Sequence, residues 1–404
     1  MLGLENLDPK ILGHRLAEAR KSRGVTQEDA AKHLGCSRPT FIAVEKGTRL
    51  PKSEEIVSLA ALYGRKVSDI VRPGEPLGDL QPHLRAVAQQ MNAEEEGIAE
   101  AIVALQKFAE DYHRLERLLN VPLRMNYPCE VQIGRGNVLA LAEDVAAQER
   151  LRLGLGDQPV VHVRSLLEAE VGLRIIYEDL PSRIAGMFGF SSDLGGVIAV
   201  NRKHPPERRR ATLVHEYGHL ITDRFRPGID YVTFHGRKPA NERFAEAFSM
   251  AFLMPATSVR RRFNEIVNES GDFQIADLCR LSHFYNTSVE AMTLRLEGLG
   301  LIPKGVRDHL QESGFEVRRA EAMLNLHQYP VTDNRFPDRY VLLAVQAYDK
   351  GKVSEGELCG LLRCDRVTAR EMVDRHLTTT AVSEDGEVRQ IQLETNHSLL
   401  GNAK

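Results

Sequence analysis

Apolar residues recur three and four apart through the first seventy positions. Leu12, Leu16 and Ala19, then Ala30, Ala31 and Leu34, then Ile56, Leu59, Ala60 and Tyr63 each form one stripe of a short helix. Thr26 and Ser37 stand where N-caps belong, and Gly35 suits the turn between them. The Pro/Gly-rich run from Arg72 to Pro82 closes the bundle. A longer helical pattern runs from about Asn92 to Asn120, with Ile98, Ile102, Leu105, Ala109 and Tyr112 in alternating four- and three-residue steps. This stripe fits a dimerising coiled coil or packing onto the next domain, and we expect a homodimer.

From Pro128 the texture changes. "LRIIYEDL", "IAGMFGF" and "GGVIAVN" are β-rich runs between turn residues and predict a small sheet. Helices are predicted at Pro206–Asp223, Asn241–Met254 and Ala276–Leu296, and short ones again in the C-terminal piece, where Ser354 is a cap. The last ~20 residues read as a short strand and a loose tail. The fold class is therefore mainly α with a small β-sheet (α+β). A helix-turn-helix bundle is expected over 1–75, a linker and long helix over 76–127, and the sheet-bearing domain over 128–300. A C-terminal helical region, winged or helix-turn-helix-like, with a tail, is expected over 301–404.

Composition narrows the function classes. No run approaches the roughly 18–20 apolar residues that span a bilayer, and the first residues lack a secretory pattern. A cytoplasmic protein without a membrane partner is expected. Five scattered cysteines fit a reducing compartment, with Cys359 and Cys364 read as buried thiols. The net charge of −3 carries no global nucleic-acid signature, but residues 1–75 hold 13 Lys/Arg against 10 Asp/Glu.

The stretch "TQEDAAKHLGCSRPTFIAVEKGTRLP" has the layout of a first helix over the DNA backbone and a second entering the major groove. Gln27 opens the first helix and is placed to bond a phosphate. Ser37, Arg38 and Thr40 start the second, where Arg suits guanine and Thr a thymine methyl. Lys46 and Arg49 follow it and would hold phosphates. Pro39 is tolerated because it falls in the first turn. With Thr26, Gln27, Ala31, Ser37, Ile42, Glu45 (one place early) and Gly47 in order, the segment resembles the XRE family of repressor-type helix-turn-helix domains. That resemblance implies double-stranded DNA as a partner.

The second chemical signature is "LVHEYGHL". Positions i and i+4 of a helix share a face, so His215 and His219 can hold one Zn²⁺, with Glu216 beside them as general base. A catalytic zinc needs a third protein ligand. "NERFAEAFSMAFLMP" offers Glu242 and Glu246 at the same spacing. The economical assignment makes Glu242 the ligand and has Glu246 orient a histidine, and the reverse stays open. Asp223 and Asp230 are poorer choices. His235 and Tyr231, between the two helices, are possible oxyanion stabilisers. "GGVIAVN" is expected to present an edge for an extended peptide. "HPPERRR" is expected to be a solvated first turn, and His204 a surface residue.

Residues 170–300 resemble the ImmA/IrrE metallopeptidase family through "AVNRKHPPERRRATLVHEYGHLI", "ERFAEAFSMAFLMP" and "DLCRLSHFYNTSVEAMTLRLEGLGLI". The C-terminal "AYDKGKVSEGELCGLL" is similar to tails in that family. The resemblance implies a gluzincin-like zinc metalloendopeptidase whose protein substrate is an XRE-type repressor. Glu246 departs from the Asn or Asp frequent there. The alternative is a transcription factor whose zincin-like domain senses a signal without hydrolysis. A purely sensory domain has no need of Glu216, whereas fusion to a DNA-binding head favours sensing.

Overall fold

The computed structural model describes residues 8–23, 25–63, 67–71, 80, 84, 97–225, 228–231, 238–326, 334–382 and 388–392. They divide between two compact units, Met1–Arg85 and Ala86–Lys404.

The first unit is a bundle of α1 (Pro9–Ser22), α2 (Gln27–His33), α3 (Arg38–Glu45), α4 (Ser53–Tyr63) and α5 (Val67–Val71). The apolar stripes converge in one core, with Leu12, Leu16, Phe41, Val44 and Leu59 fully buried. Two glycines let α1 and α3 touch. A Cβ on Gly13 would meet the Val44 and Glu45 carbonyl oxygens at 2.5 Å, and one on Gly47 (φ +70) the Lys10 backbone at 2.5 Å. Glu45 then locks the bundle, accepting from Arg20 Nε at 2.6 Å and Gln27 Nε2 at 2.7 Å.

The second unit begins with α6 (Ile98–Leu119), α7 (Val138–Arg152) and α8 (Val163–Leu166), which runs on as a π-turn, Leu167–Val171. Next come β1 (Arg174–Glu178), β2 (Ile184–Ser191), β3 (Gly195–Asn201), α9 (Pro206–Thr222), β4 (Gly228–Tyr231) and α10 (Ala240–Leu253). Helices α11 (Ala256–Ser270), α12 (Ile275–Tyr285), α13 (Val289–Gly298), α14 (Val306–Glu312) and α15 (Val317–Met323) follow. The unit closes with α16 (Asp338–Asp349), α17 (Glu355–Leu362), α18 (Arg366–Leu377) and an antiparallel ribbon, β5 (Thr378–Val382) with β6 (Val388–Gln392). Three helices followed by a ribbon give this C-terminal part the element order of a winged helix.

The four-stranded sheet has the order β1-β3-β2-β4, with β1 parallel to β3 and the other pairs antiparallel. Strand β3 is thus interior and buried at every position, which corrects its expected role as a peptide-pairing edge. Both of its hydrogen-bonding sides are taken, and β4 is the strand at that end of the sheet. Helix α9 packs on β2 and β3, and α10 lies across α9 and α7.

The apolar face of α6 is covered within the chain. Phe108 and Tyr112 pack against Tyr340 of α16, tilted and edge-on respectively, each with centroids 5.3 Å away. Beneath them, buried Glu116 accepts from Arg174 of β1 at 2.7 Å and Arg339 of α16 at 2.6 Å. The face expected to form a coiled coil is therefore occupied, and a homodimer would need another surface. Among the described residues no helix is long and apolar enough to cross a membrane.

Candidate metal centre and nucleic-acid interface

Helix α9 starts with Pro206 in its first turn, where the missing N–H costs nothing, and is buried along almost all of its last three turns. Its approach to α10 depends on Gly218. A Cβ there would lie 3.0 Å from the Ala245 Cα and 3.4 Å from Phe248 Cδ1. The close crossing brings Glu242, three residues before Ala245, over the two histidines.

The donor atoms form a compact triangle. His215 Nε2 and His219 Nε2 are 3.1 Å apart, and each lies 3.4 Å from an oxygen of Glu242. A tetrahedral ion with bonds of about 2.0–2.1 Å requires donors about 3.3–3.4 Å apart. The residues present therefore fit a zinc-sized ion, and the three together are a group able to hold a metal. Burial alone would raise the Glu242 carboxyl, but hydrogen bonds from His215 and His219 outweigh it and hold the group well below the usual carboxylate range. The histidines are buried, whereas the Glu242 side chain keeps 27% exposure, so the site opens on its side.

Glu216 is wholly buried between α9 and the sheet. A Cβ on Gly186 of β2 would stand 2.7 Å from Glu216 Oε1 and 2.7 Å from Thr212 Cγ2. Only glycine lets the strand pass this close. Gly186 was missed by the motif reading, although a glycine inside the strand pattern "IAGMFGF" signals a close backbone approach. Tyr217 points the other way, giving its hydroxyl to Glu149, which also holds Arg152 at 2.5 Å. Burial first, and then Glu149, push the Tyr217 phenol up. Arg150 anchors the far end of α10 by donating to the Phe252 carbonyl at 2.5 Å.

Other expected residues fall differently. Glu246 is half-exposed and ion-paired with Lys238, whereas Glu242 is the acid that faces both histidines. Tyr231 ends β4 opposite Ile184 of β2. His235 lies outside the described residues. The "HPPERRR" run is not a solvated turn throughout. Arg209 is buried over the Tyr177 ring at 5.1 Å, and Arg210 donates to the Val160 carbonyl at 2.6 Å and the Asn286 carbonyl at 3.1 Å. His204 is half-buried, not a surface residue.

In the first unit, Ser37 caps α3 by accepting from Thr40 N at 3.3 Å, and its hydroxyl bonds Thr40 Oγ1 at 2.8 Å. Arg38 and Lys46 are exposed at the two ends of α3. The Gln27 amide nitrogen donates to Glu45, and Arg49, a third of its side chain exposed, is paired with Glu55 at 2.8 Å.

A helical unit with a capped helix-turn-helix layout thus precedes a unit that carries a His-His-Glu group able to hold a metal. Residues 11–70 match the model of a helix-turn-helix domain, and residues 168–297 that of an IrrE N-terminal-like domain. An uncharacterized HTH-type transcriptional regulator of Methanocaldococcus jannaschii is 42% identical over 57 residues, 14% of this chain and 86% of that protein. The uncharacterized HTH-type regulator YazB of Bacillus subtilis is 33% identical over 67 residues, 17% of this chain and 97% of that protein. The cryptic phage CTXphi transcriptional repressor RstR of Vibrio cholerae is 32% identical over 65 residues, 16% of this chain, which spans 59% of that repressor's length. The chain belongs with the HTH-type transcriptional regulators and carries an IrrE N-terminal-like, metallopeptidase-like domain.

Proposed function

We propose that this chain is a DNA-binding regulatory zinc metallopeptidase that hydrolyses a repressor-type protein. The observation that carries the reading is the donor triangle of His215, His219 and Glu242, with buried Glu216 next to the first histidine. His215, His219 and Glu242 would hold a Zn²⁺ ion, which would supply Lewis acidity to a water and a peptide carbonyl. Glu216 takes the proton from the attacking water and hands it to the leaving amine nitrogen. The wall made by Gly186 and Thr212 keeps its carboxylate oriented while it does so. Tyr231 and His235 remain the proposed donors to the tetrahedral oxyanion. β4, last in the strand order, takes over the peptide-docking role. Ser37, Arg38, Thr40 and Lys46 direct the molecule to double-stranded DNA, which concentrates it beside DNA-bound regulators.

The test incubates zinc-loaded protein with XRE-type repressors, with and without DNA, beside a Glu216→Gln variant. Wild type is expected to cleave, and the variant to bind zinc without cleaving. Intact operator binding by both with no cleavage under any condition would leave the sensory reading instead.

A further inference from the structure

Helix α17 ends on Arg363 in the left-handed region (φ 50), a conformation uncommon for a residue with a side chain. The N–H groups of Arg363 and Cys364 both return to the Cys359 carbonyl, the latter at 3.2 Å. This helix-ending loop brings the side chain one turn before the helix end against the one just past the left-handed residue. In most helices that contact is apolar. Here the residues at those two positions are Cys359 and Cys364.

We propose that Cys359 and Cys364 are an oxidation-sensitive pair that closes to a reversible disulfide when the chain meets a peroxide. Both are partly exposed rather than buried as the composition led us to expect, whereas Cys279 is buried. Arg370 of α18 lies within electrostatic reach of Cys359. Burial first, then Cys359 and Asp365, push the Cys364 thiol up.

In the first step the Cys359 sulfur attacks one peroxide oxygen. The O–O bond breaks, the departing hydroxide takes the thiol proton, and a sulfenic acid and one water result. In the second step the Cys364 sulfur attacks the Cys359 sulfur. The S–O bond breaks and hydroxide leaves with the Cys364 proton as a second water. Two thiols are oxidised and one peroxide is reduced to two waters.

The location gives the modification a structural consequence. Arg363, between the two thiols, donates to Glu178 at the end of β1 at 2.7 Å and to the Ala104 carbonyl of α6 at 3.0 Å. The pair therefore sits in the joint that ties the C-terminal helices to β1 and α6.

The full chain is treated with hydrogen peroxide under native conditions, then alkylated and measured by mass spectrometry. The expected result is loss of two hydrogens, with the peptide holding both residues resistant to alkylation until dithiothreitol is added. Cys359→Ser and Cys364→Ser should each abolish the loss, with unchanged circular dichroism showing that both still fold. Cys129→Ser, at the exposed cysteine, should leave it intact. Free alkylation of both residues after peroxide, or a bridge involving Cys129, would overturn the proposal.

Discussion

Gly218 of α9 faces Ala245 of α10 so closely that a Cβ at position 218 would stand 3.0 Å from the Ala245 Cα and 3.2 Å from its Cβ, tighter than ordinary packing. The atom in the way is backbone, so relief requires moving a helix. Gly218→Val should push α10 outward, draw Glu242 off the histidines and cost about 1–3 kcal/mol of overpacking. Zinc per chain, measured by elemental analysis after gel filtration, should fall well below one. Full occupancy in a folded variant would refute this account of the crossing.

The two glutamates of α10 should separate cleanly. Glu242→Gln removes a member of the donor triangle and should weaken zinc binding by roughly 100-fold or more. Glu246→Gln only releases Lys238 and should change it by less than about tenfold. Competition titration against a chromophoric chelator reads both. Equal losses would mean that Glu246 also reaches the ion.

Gly186→Ala tests the wall behind Glu216. The added methyl would meet the Glu216 carboxylate and, equally at 2.7 Å, the Thr212 methyl, so Glu216 is expected to swing and β2 to ease away from α9. Peptide hydrolysis should drop about 100-fold with zinc content nearly unchanged, and overpacking should cost about 1–3 kcal/mol of stability. Retained activity would show that the carboxylate has room to spare.

Acid should weaken the grip on the C-terminal helices. Burial alone would raise the Glu178 carboxyl, but the Arg335 hydrogen bond, helped by the charges of Arg335 and Arg363, holds it below the usual range. A carboxyl depressed in the folded state stabilises above its unfolded pKa of about 4.3, and the contribution is lost as pH falls through the lower folded value. Wild type should therefore lose stability below about pH 4.5. Glu178→Gln should already be weaker at pH 7, on the order of 2 kcal/mol given the partly exposed arginines, and should lose less on acidification. Denaturant titrations at pH 7 and 4 compare the two, and parallel pH dependence would exclude Glu178 as the group responsible.

On the DNA side, Arg38→Ala should lower operator affinity by about 1–3 kcal/mol and leave folding alone, because Arg38 is exposed at the start of α3. Gln27→Ala should act through stability, since its amide ties α2 to Glu45. A shift assay at fixed salt, paired with thermal melts, distinguishes the two. Unchanged affinity for Arg38→Ala would remove it from the groove.

Much of this arrangement was legible in local pattern, because local pattern is short-range physics. Helical periodicity determined that His215 and His219 share a face, that a second helix carries two acids at matching spacing, and that Ser37 starts a capped helix. It also separated an all-helical head from a mixed α+β body. Which acid meets the histidines was decided by the Gly218–Ala245 contact, a relation between residues that are distant in sequence. The same holds for the interior position of β3, the covering of α6 by α16, and the approach of Gly186 to Glu216. Polar side chains followed partners that periodicity cannot see: Gln27 went to Glu45, Arg49 to Glu55, and Arg209 and Arg210 into the interior. A sequence determines which face of each element is apolar and which donors it can offer. Which faces and donors meet depends on how closely two backbones can approach, and that is settled only when the elements pack.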